Sequence, residues 1–172
     1  MIRKIFILLS LPFIISLITS CGIYSLKSGS IALEVKSITI NNVYNEFGGG
    51  PANISQVFTE KLKNFYLQNS RLEIIKSGGD WEIDPKIVGY TISPVAPIGG
   101  STNQSSSFNR LTIRLQVKFT NNLDEKANFD QVFSFFEDYD KDKSLSSIES
   151  TIIDQISDRI VQDVYTKTTS NW

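Results

Sequence analysis

The chain has 172 residues, with 17 Lys and Arg side chains against 18 Asp and Glu, and this near-neutral balance argues against nucleic acid as a partner. It contains no His, so imidazole catalysis and the usual zinc sites lack their side chains, and its one Cys is expected to be acylated, which leaves no thiolate for catalysis. We therefore expect a protein that is not an enzyme and needs no metal or other cofactor.

The first predicted element is a secretory leader over residues 1–20. Arg3 and Lys4 precede an apolar run over 5–18, and small residues then lead to Cys21. This order resembles a bacterial lipobox, which implies cleavage before Cys21, diacylglycerol on its thiol and acyl chains such as palmitate. The alternatives are an uncleaved anchor helix or a plain leader, but the run is shorter than the roughly 20 apolar residues of a spanning helix.

The rest of the chain is predicted to be a short tether and one domain. Residues 21–30 are small and polar, as expected of a lipidated tether, and 31–172 are long enough for a single core. A first strand is predicted over 31–40, with a bulge near Ser37 where the alternation of apolar residues changes phase. The glycine-rich segment 47–51 ends it as a loop.

A first helix is predicted over 53–68, because Asn53 and Gln56 have the spacing of a capping box and apolar residues recur on one face. Four strands follow, over 71–76, 81–92, 108–120 and 129–139. Pro85 within the second of these indicates an edge or a bulge. The Pro-, Gly- and Ser-rich segment 94–107 is expected to be a mobile hairpin arm.

The last predicted element is an amphipathic helix over 144–167, in which Ser146 and Glu149 again have capping-box spacing. We write the predicted order as βαβββα, in which the four strands after the first helix are counted as three. It predicts an α+β two-layer sandwich with two helices packed on one face of a mostly antiparallel sheet.

Acidic side chains cluster at two places in the sequence. The acids at 73, 80, 82 and 84 lack the order of a calcium loop and are expected to be solvated. Asp138, Asp140 and Asp142 come closer to such a loop, but lysines separate them and no Gly follows at the required place. Neither cluster predicts a metal site.

The strand over 108–120 has a basic stripe. Arg110, Arg114 and Lys118 share one face, and positions four apart on a strand lie about 13 Å from each other. Such a stripe fits the phosphates of a large anionic glycolipid. The alternative is that the stripe keeps the exposed sheet face soluble and pairs with acids on neighbouring strands, namely Asp130, Asp138 or Glu82.

Six short segments have a family resemblance in their sequence and order: Cys21–Ser25, Ser37–Ile40, Phe58–Leu62, Asn109–Ile113, Phe133–Phe136 and Asn171–Trp172. Together they resemble the lipopolysaccharide-assembly lipoproteins (LptE-like) in the form found in Bacteroidota. The resemblance covers nearly all of the chain after the leader.

The resemblance implies a lipid-anchored outer-membrane protein that plugs a large LptD-like β-barrel, binds lipopolysaccharide and helps its insertion into the outer leaflet. By similarity, Arg110, Arg114 and Lys118 are candidate contacts of the lipid A phosphates. The tether has no acidic cluster after Cys21, which favours the periplasmic side. The alternative is a lipid-tethered envelope interaction domain with a different protein partner and no lipopolysaccharide contact.

Overall fold

The computed structural model describes residues 31–95 and 108–170, which form one sheet with two helices packed against it. The predicted leader, Cys21 and the tether lie outside the described residues. So do nearly all of the predicted hairpin arm, at 96–107, and Asn171–Trp172.

The described residues form six strands and two helices. In chain order they are β1 (Ser37–Ile40), β2 (Tyr44–Asn45), α1 (Ile54–Asn69), β3 (Glu73–Ile74), β4 (Trp81–Pro94), β5 (Phe108–Asn121), β6 (Phe129–Asp140) and α2 (Leu145–Thr169). A single 3-10 turn at Glu125–Ala127 joins β5 to β6.

The strands lie side by side in the order β3, β1, β4, β5 and β6, and β2 pairs with β4. The long strands β4, β5 and β6 are antiparallel, whereas the short strands β1, β2 and β3 make parallel pairs. The predicted α+β class with two helices against the sheet is therefore confirmed. The βαβββα summary has fewer strands than the structure, because β2 and β3 span only two residues each and leave no readable alternation.

The first strand is shorter than predicted, and its bulge near Ser37 is absent. Only 37–40 pair with neighbouring strands, while the Val35 N–H donates to the Ala32 carbonyl in a turn. The alternating apolar residues before Ser37 were misleading because they do not share a buried face. Leu33, one of them, is 79% exposed.

The predicted capping box of α1 does not form. The helix begins at Ile54, as the sequence indicates, but Asn53 makes no side-chain cap bond. The Gln56 amide instead donates to the Glu60 carboxylate one turn further on. Residues four apart lie on the same face of a helix, so Gln56 bonds to Glu60 within the helix instead of turning back to Asn53.

The predicted capping box of α2 is also absent. The helix begins one residue after Ser144, whose hydroxyl bonds that of Ser146 rather than a free N–H of the first turn. The Glu149 carboxylate accepts a hydrogen bond from the Tyr90 hydroxyl of β4. The Glu149 side chain, which the local spacing assigned to the cap of α2, is therefore bonded to a residue far away in the sequence.

The core lies between the helices and one face of the sheet. The buried residues of each helix lie along one face of that helix. In β5, every second residue from Leu111 to Phe119 is buried in the same core. Neither described helix is long and apolar enough to cross a membrane. The two helices leave the opposite face of β4, β5 and β6 uncovered.

Asp80, one of the acids predicted to be solvated, is held by the start of β1. Its Oδ2 accepts hydrogen bonds from the backbone N–H groups of Lys36 and Ser37, at 2.8 and 2.9 Å, and from the Ser37 hydroxyl at 3.0 Å. The two backbone donors, followed by the hydroxyl, hold the pKa of Asp80 below its usual range. The carboxylate thereby joins the turn before β4 to β1.

We expect the stability that Asp80 contributes to be lost in acid. A carboxyl whose folded pKa lies below its unfolded value of about 4 stabilises the fold above that pH and stops doing so as the pH falls through the folded pKa. Urea unfolding at pH 6 and at successively lower pH should show Asp80→Asn less stable than the parent at pH 6, with the gap closing below about pH 4. A gap that stays constant with pH would contradict this assignment.

Candidate functional site

The candidate site is the uncovered face of the three long strands, called here the open face. Alternation of buried and exposed residues, together with the strand register, defines its members. A bulge between Ile87 and Gly89 shifts the phase of β4, so that its even-numbered residues face outward before the bulge and its odd-numbered residues after it. The members are Glu82, Asp84, Lys86, Gly89, Thr91 and Ser93 of β4, Arg110, Thr112, Arg114, Gln116, Lys118 and Thr120 of β5, and Asp130, Val132, Ser134, Phe136 and Asp138 of β6.

Arg110 is paired on the open face. It lies opposite Asp138 of β6, and its Nε and Nη2 donate to the two carboxylate oxygens at 2.7 and 2.9 Å. Its guanidinium carbon lies 3.7 Å from the centre of the Phe136 ring. The hydrogen-bonded guanidinium holds the pKa of Asp138 below its usual range. The pairing that the sequence left as an alternative is thus present at this position.

Arg114 lies in a different environment. Its neighbours across the two strand pairs are Gly89 and Ser134, neither of which is charged. The side chain lies across Gly89, where an added Cβ would be 2.5 Å from Arg114 Nε and 3.2 Å from Cζ. Among the described residues, no carboxylate lies within 4.0 Å of this guanidinium. Arg114 is therefore an exposed cation placed flat on the sheet by a glycine.

Lys118 lies between two acids in the strand register, Asp84 of β4 and Asp130 of β6. It forms no ion pair within 4.0 Å in the described part of the chain. Asp130 instead accepts a hydrogen bond of 2.8 Å from the Gln116 amide. The positive charge of Lys118 is partly offset by these two carboxylates without direct contact.

The basic stripe is therefore present on one face, but its three members are not equivalent. Within the described residues, Arg110 is paired with Asp138, Lys118 is flanked by two acids, and Arg114 has no carboxylate within 4.0 Å. Arg guanidinium groups form paired hydrogen bonds with phosphate oxygens, so Arg114 has the chemistry of an anion contact. Potential metal ligands do not gather in groups of three or more within 31–95 and 108–170.

Two contributors to the site were not identified from the sequence. Gly89 was not selected, although a glycine inside a strand is a signal for a close approach by another group. Phe136 belongs to one of the segments that carry the family resemblance, but no sequence pattern indicates that its ring lies under the Arg110 guanidinium. Both roles depend on the register between strands, which the sequence alone does not specify.

A family model described as "LptE: Lipopolysaccharide-assembly" matches residues 35–168 of this chain. No curated protein matches the sequence. Solved structures with a similar fold include a minor lipoprotein from Acinetobacter baumannii, at 12% identity and a TM-score of 0.52, covering 78% of this chain and 93% of that one.

Two further structures are similar at the same level. A hypothetical protein from Chlamydia trachomatis has 8% identity and a TM-score of 0.55, covering 78% of this chain and 96% of its own. An uncharacterized lipoprotein B from Nitrosomonas europaea has 10% identity and a TM-score of 0.52, covering 78% and 83%. At these identities the likeness concerns the fold alone.

Proposed function

Because the chain belongs to the LptE family of lipopolysaccharide-assembly proteins, we propose that it is the plug and assembly subunit of a lipopolysaccharide translocon in the outer membrane. In this role it binds inside a large LptD-like β-barrel and helps lipopolysaccharide to enter the outer leaflet. The polar open face supports this proposal, because the interior walls of wide membrane barrels are polar.

The proposal includes a lipid anchor at Cys21. The basic residues, apolar run and small residues that precede this cysteine form a leader of the length expected for secretion. Two or three acyl chains bind a bilayer stably, at about 0.8 kcal/mol for each buried methylene. The anchor then holds the domain on the periplasmic side of the outer membrane, beside its barrel partner.

The observation that best supports a glycolipid contact is the position of Arg114. Its guanidinium lies over Gly89 with no carboxylate within 4.0 Å in the described residues, so an incoming phosphate displaces no internal partner. Lys118 is the second candidate, and Arg110 is the third because binding must compete with Asp138. We propose that these side chains contact the phosphates of lipid A in that order of importance.

The pairing of Arg110 with Asp138 favours a second candidate function. An open face with internal ion pairs also suits a lipid-tethered domain that binds another envelope protein and makes no lipopolysaccharide contact. Both candidates share the lipid anchor. They differ in the protein partner and in whether lipopolysaccharide is bound.

Affinity purification of the acylated protein from its native outer membrane tests the proposal. After mild detergent extraction, mass spectrometry should identify a large barrel protein in stoichiometric amount. The same purification with Cys21→Ala is the control, and it should recover less barrel because the domain is no longer held at the membrane. Absence of a barrel protein from the acylated sample would overturn the plug assignment.

A further inference from the structure

The outer edge of β6 is a long unpaired strand edge. Residues 129–140 form the last strand of the sheet and, within the described part of the chain, β6 pairs with β5 alone. An edge strand leaves about half of its backbone N–H and C=O groups without a ladder partner. We propose that this edge binds an extended, basic segment of a partner protein, which adds a strand to the sheet beside β6.

The two edges of the sheet differ in how they are protected. The opposite edge is β3, which spans only Glu73–Ile74, and a strand this short offers little to pair with. β6 has twelve residues and contains no Pro or Lys, and its charged side chains are four carboxylates, which repel an acidic strand but not a basic one. The fold thus leaves one edge long enough for several consecutive backbone hydrogen bonds.

Apolar side chains of β6 are exposed on the open face and partly exposed on the helix face of this edge. On the open face, Val132 is 47% exposed and Phe136 is 43% exposed. On the helix face, Phe135 is only partly buried, with Arg159 of α2 at 5.9 Å from its ring. Side chains of an added strand would lie about 5 Å from these residues and cover them on both faces.

The charge of β6 indicates the sign of the partner. The strand has four carboxylates and no basic residue, and one of them, Asp138, is already neutralised by Arg110. Within the described residues, the only hydrogen-bond partner of Asp130 is the neutral Gln116 amide. A Lys or Arg of an added strand, opposite Asp130, would give this carboxylate a direct cationic partner.

The same charges disfavour a second copy of this chain as the occupant. Antiparallel pairing of two β6 strands about Ser134 would match Val132 with Phe136, but it would place Asp130 opposite Asp138, whose charge is already paired with Arg110, and so give Asp130 no cationic partner. Parallel pairing in register would place each carboxylate opposite itself. Like charges in directly opposed positions destabilise strand pairing.

A strand of a closed barrel wall is also unsuited to this edge. Every strand of a membrane barrel already has a neighbour on both sides, so the wall has no free backbone groups to offer. The occupant must therefore be a loop or terminal segment in extended form. The inference goes beyond the proposed function, since any envelope protein with such a segment would satisfy it.

Peptide binding to the detergent-solubilised full-length protein tests the inference. The probe is a short synthetic peptide of alternating Val and Thr with a Lys near each end, and its control has Glu in place of both Lys. We expect the basic peptide to slow amide hydrogen exchange within 129–140 and to bind roughly 10-fold more tightly than the acidic one. Asp130→Lys should reduce or reverse this preference. Asp163→Lys makes the same charge change on the exposed side of α2 and should leave the preference for the basic peptide unchanged.

Three outcomes would overturn the inference. The first is no slowing of exchange in β6 with either peptide, and the second is equal affinity for the two peptides. The third is amide exchange in β6 that slows as the protein concentration is raised in the absence of peptide. This result would assign the edge to a second copy of the chain. Each of these results is independent of whether a barrel protein co-purifies, so failure here does not affect the test of the plug assignment.

Discussion

Replacing Arg114 with glutamine is expected to weaken lipopolysaccharide binding by about 10- to 100-fold, because hydrogen bonds to charged groups contribute about 1.5–3 kcal/mol each. The guanidinium lies on the open face without a carboxylate partner in the described residues, so its loss removes a contact available to the ligand. Arg110→Gln is the matched control, since that guanidinium already donates twice to Asp138. We expect it to change the affinity by no more than about 3-fold. Isothermal titration calorimetry of the full-length protein with purified lipopolysaccharide measures both.

Gly89→Ala tests whether the position of the Arg114 guanidinium, and not only its charge, matters for lipopolysaccharide binding. The added Cβ would be 2.5 Å from Arg114 Nε, so the guanidinium must move off the sheet while the net charge stays the same. Its effect on lipopolysaccharide binding should lie between those of Arg110→Gln and Arg114→Gln. Equal losses of lipopolysaccharide affinity for Arg110→Gln and Arg114→Gln would contradict the ranking of Arg114 above Arg110 and indicate a non-specific response to net charge.

Much of the fold could be predicted because burial leaves a direct pattern in the sequence. In β5, residues from Leu111 to Phe119 alternate apolar and polar, and the structure buries the apolar set against the helices. The helices are similar, since each has a single stripe of apolar residues at helical spacing. These elements are long, and each repeats its pattern several times.

The short parallel strands could not be predicted in the same way. β2 and β3 have two residues each, and their positions depend on β4 and β1, which lie elsewhere in the sequence. The capping boxes fail for a related reason. Glu149 bonds to Tyr90, which is 59 residues away, and no local spacing records that contact.

The candidate site was predictable in outline only. The spacing of Arg110, Arg114 and Lys118 correctly places them on one face of β5. Which of them is free depends on the residues opposite, and those are set by the registers of β4 and β6. Within the described residues, Asp138 lies opposite Arg110 and pairs with it, whereas the uncharged Gly89 and Ser134 lie opposite Arg114.

The resemblance to the LptE family is confirmed by the family match over residues 35–168. The Bacteroidota form, the lipid on Cys21 and the glycolipid contacts stay predictions. The family match supports a role in lipopolysaccharide assembly.

Replacing Phe58 with alanine is expected to lower the free energy of unfolding by about 3–5 kcal/mol, the usual cost of removing a buried aromatic ring. Phe58 lies on the inner face of α1 and is completely buried, in line with Ile54, Leu62 and Tyr66 at successive turns. Because small domains are stable by only about 5–15 kcal/mol, this loss is a large fraction of the total. Urea unfolding of the full-length protein in detergent, followed by circular dichroism, measures it.

Leu67→Ala on the same helix is the control, because Leu67 is 57% exposed and its truncation should change the stability by no more than about 0.5 kcal/mol. Below its unfolding midpoint, Phe58→Ala should bind lipopolysaccharide as the parent does, since the open face lies on the other side of the sheet. A loss below about 1 kcal/mol would show that α1 is not packed as described. Weaker lipopolysaccharide binding by the folded variant would place the contact on the helix layer instead of the open face.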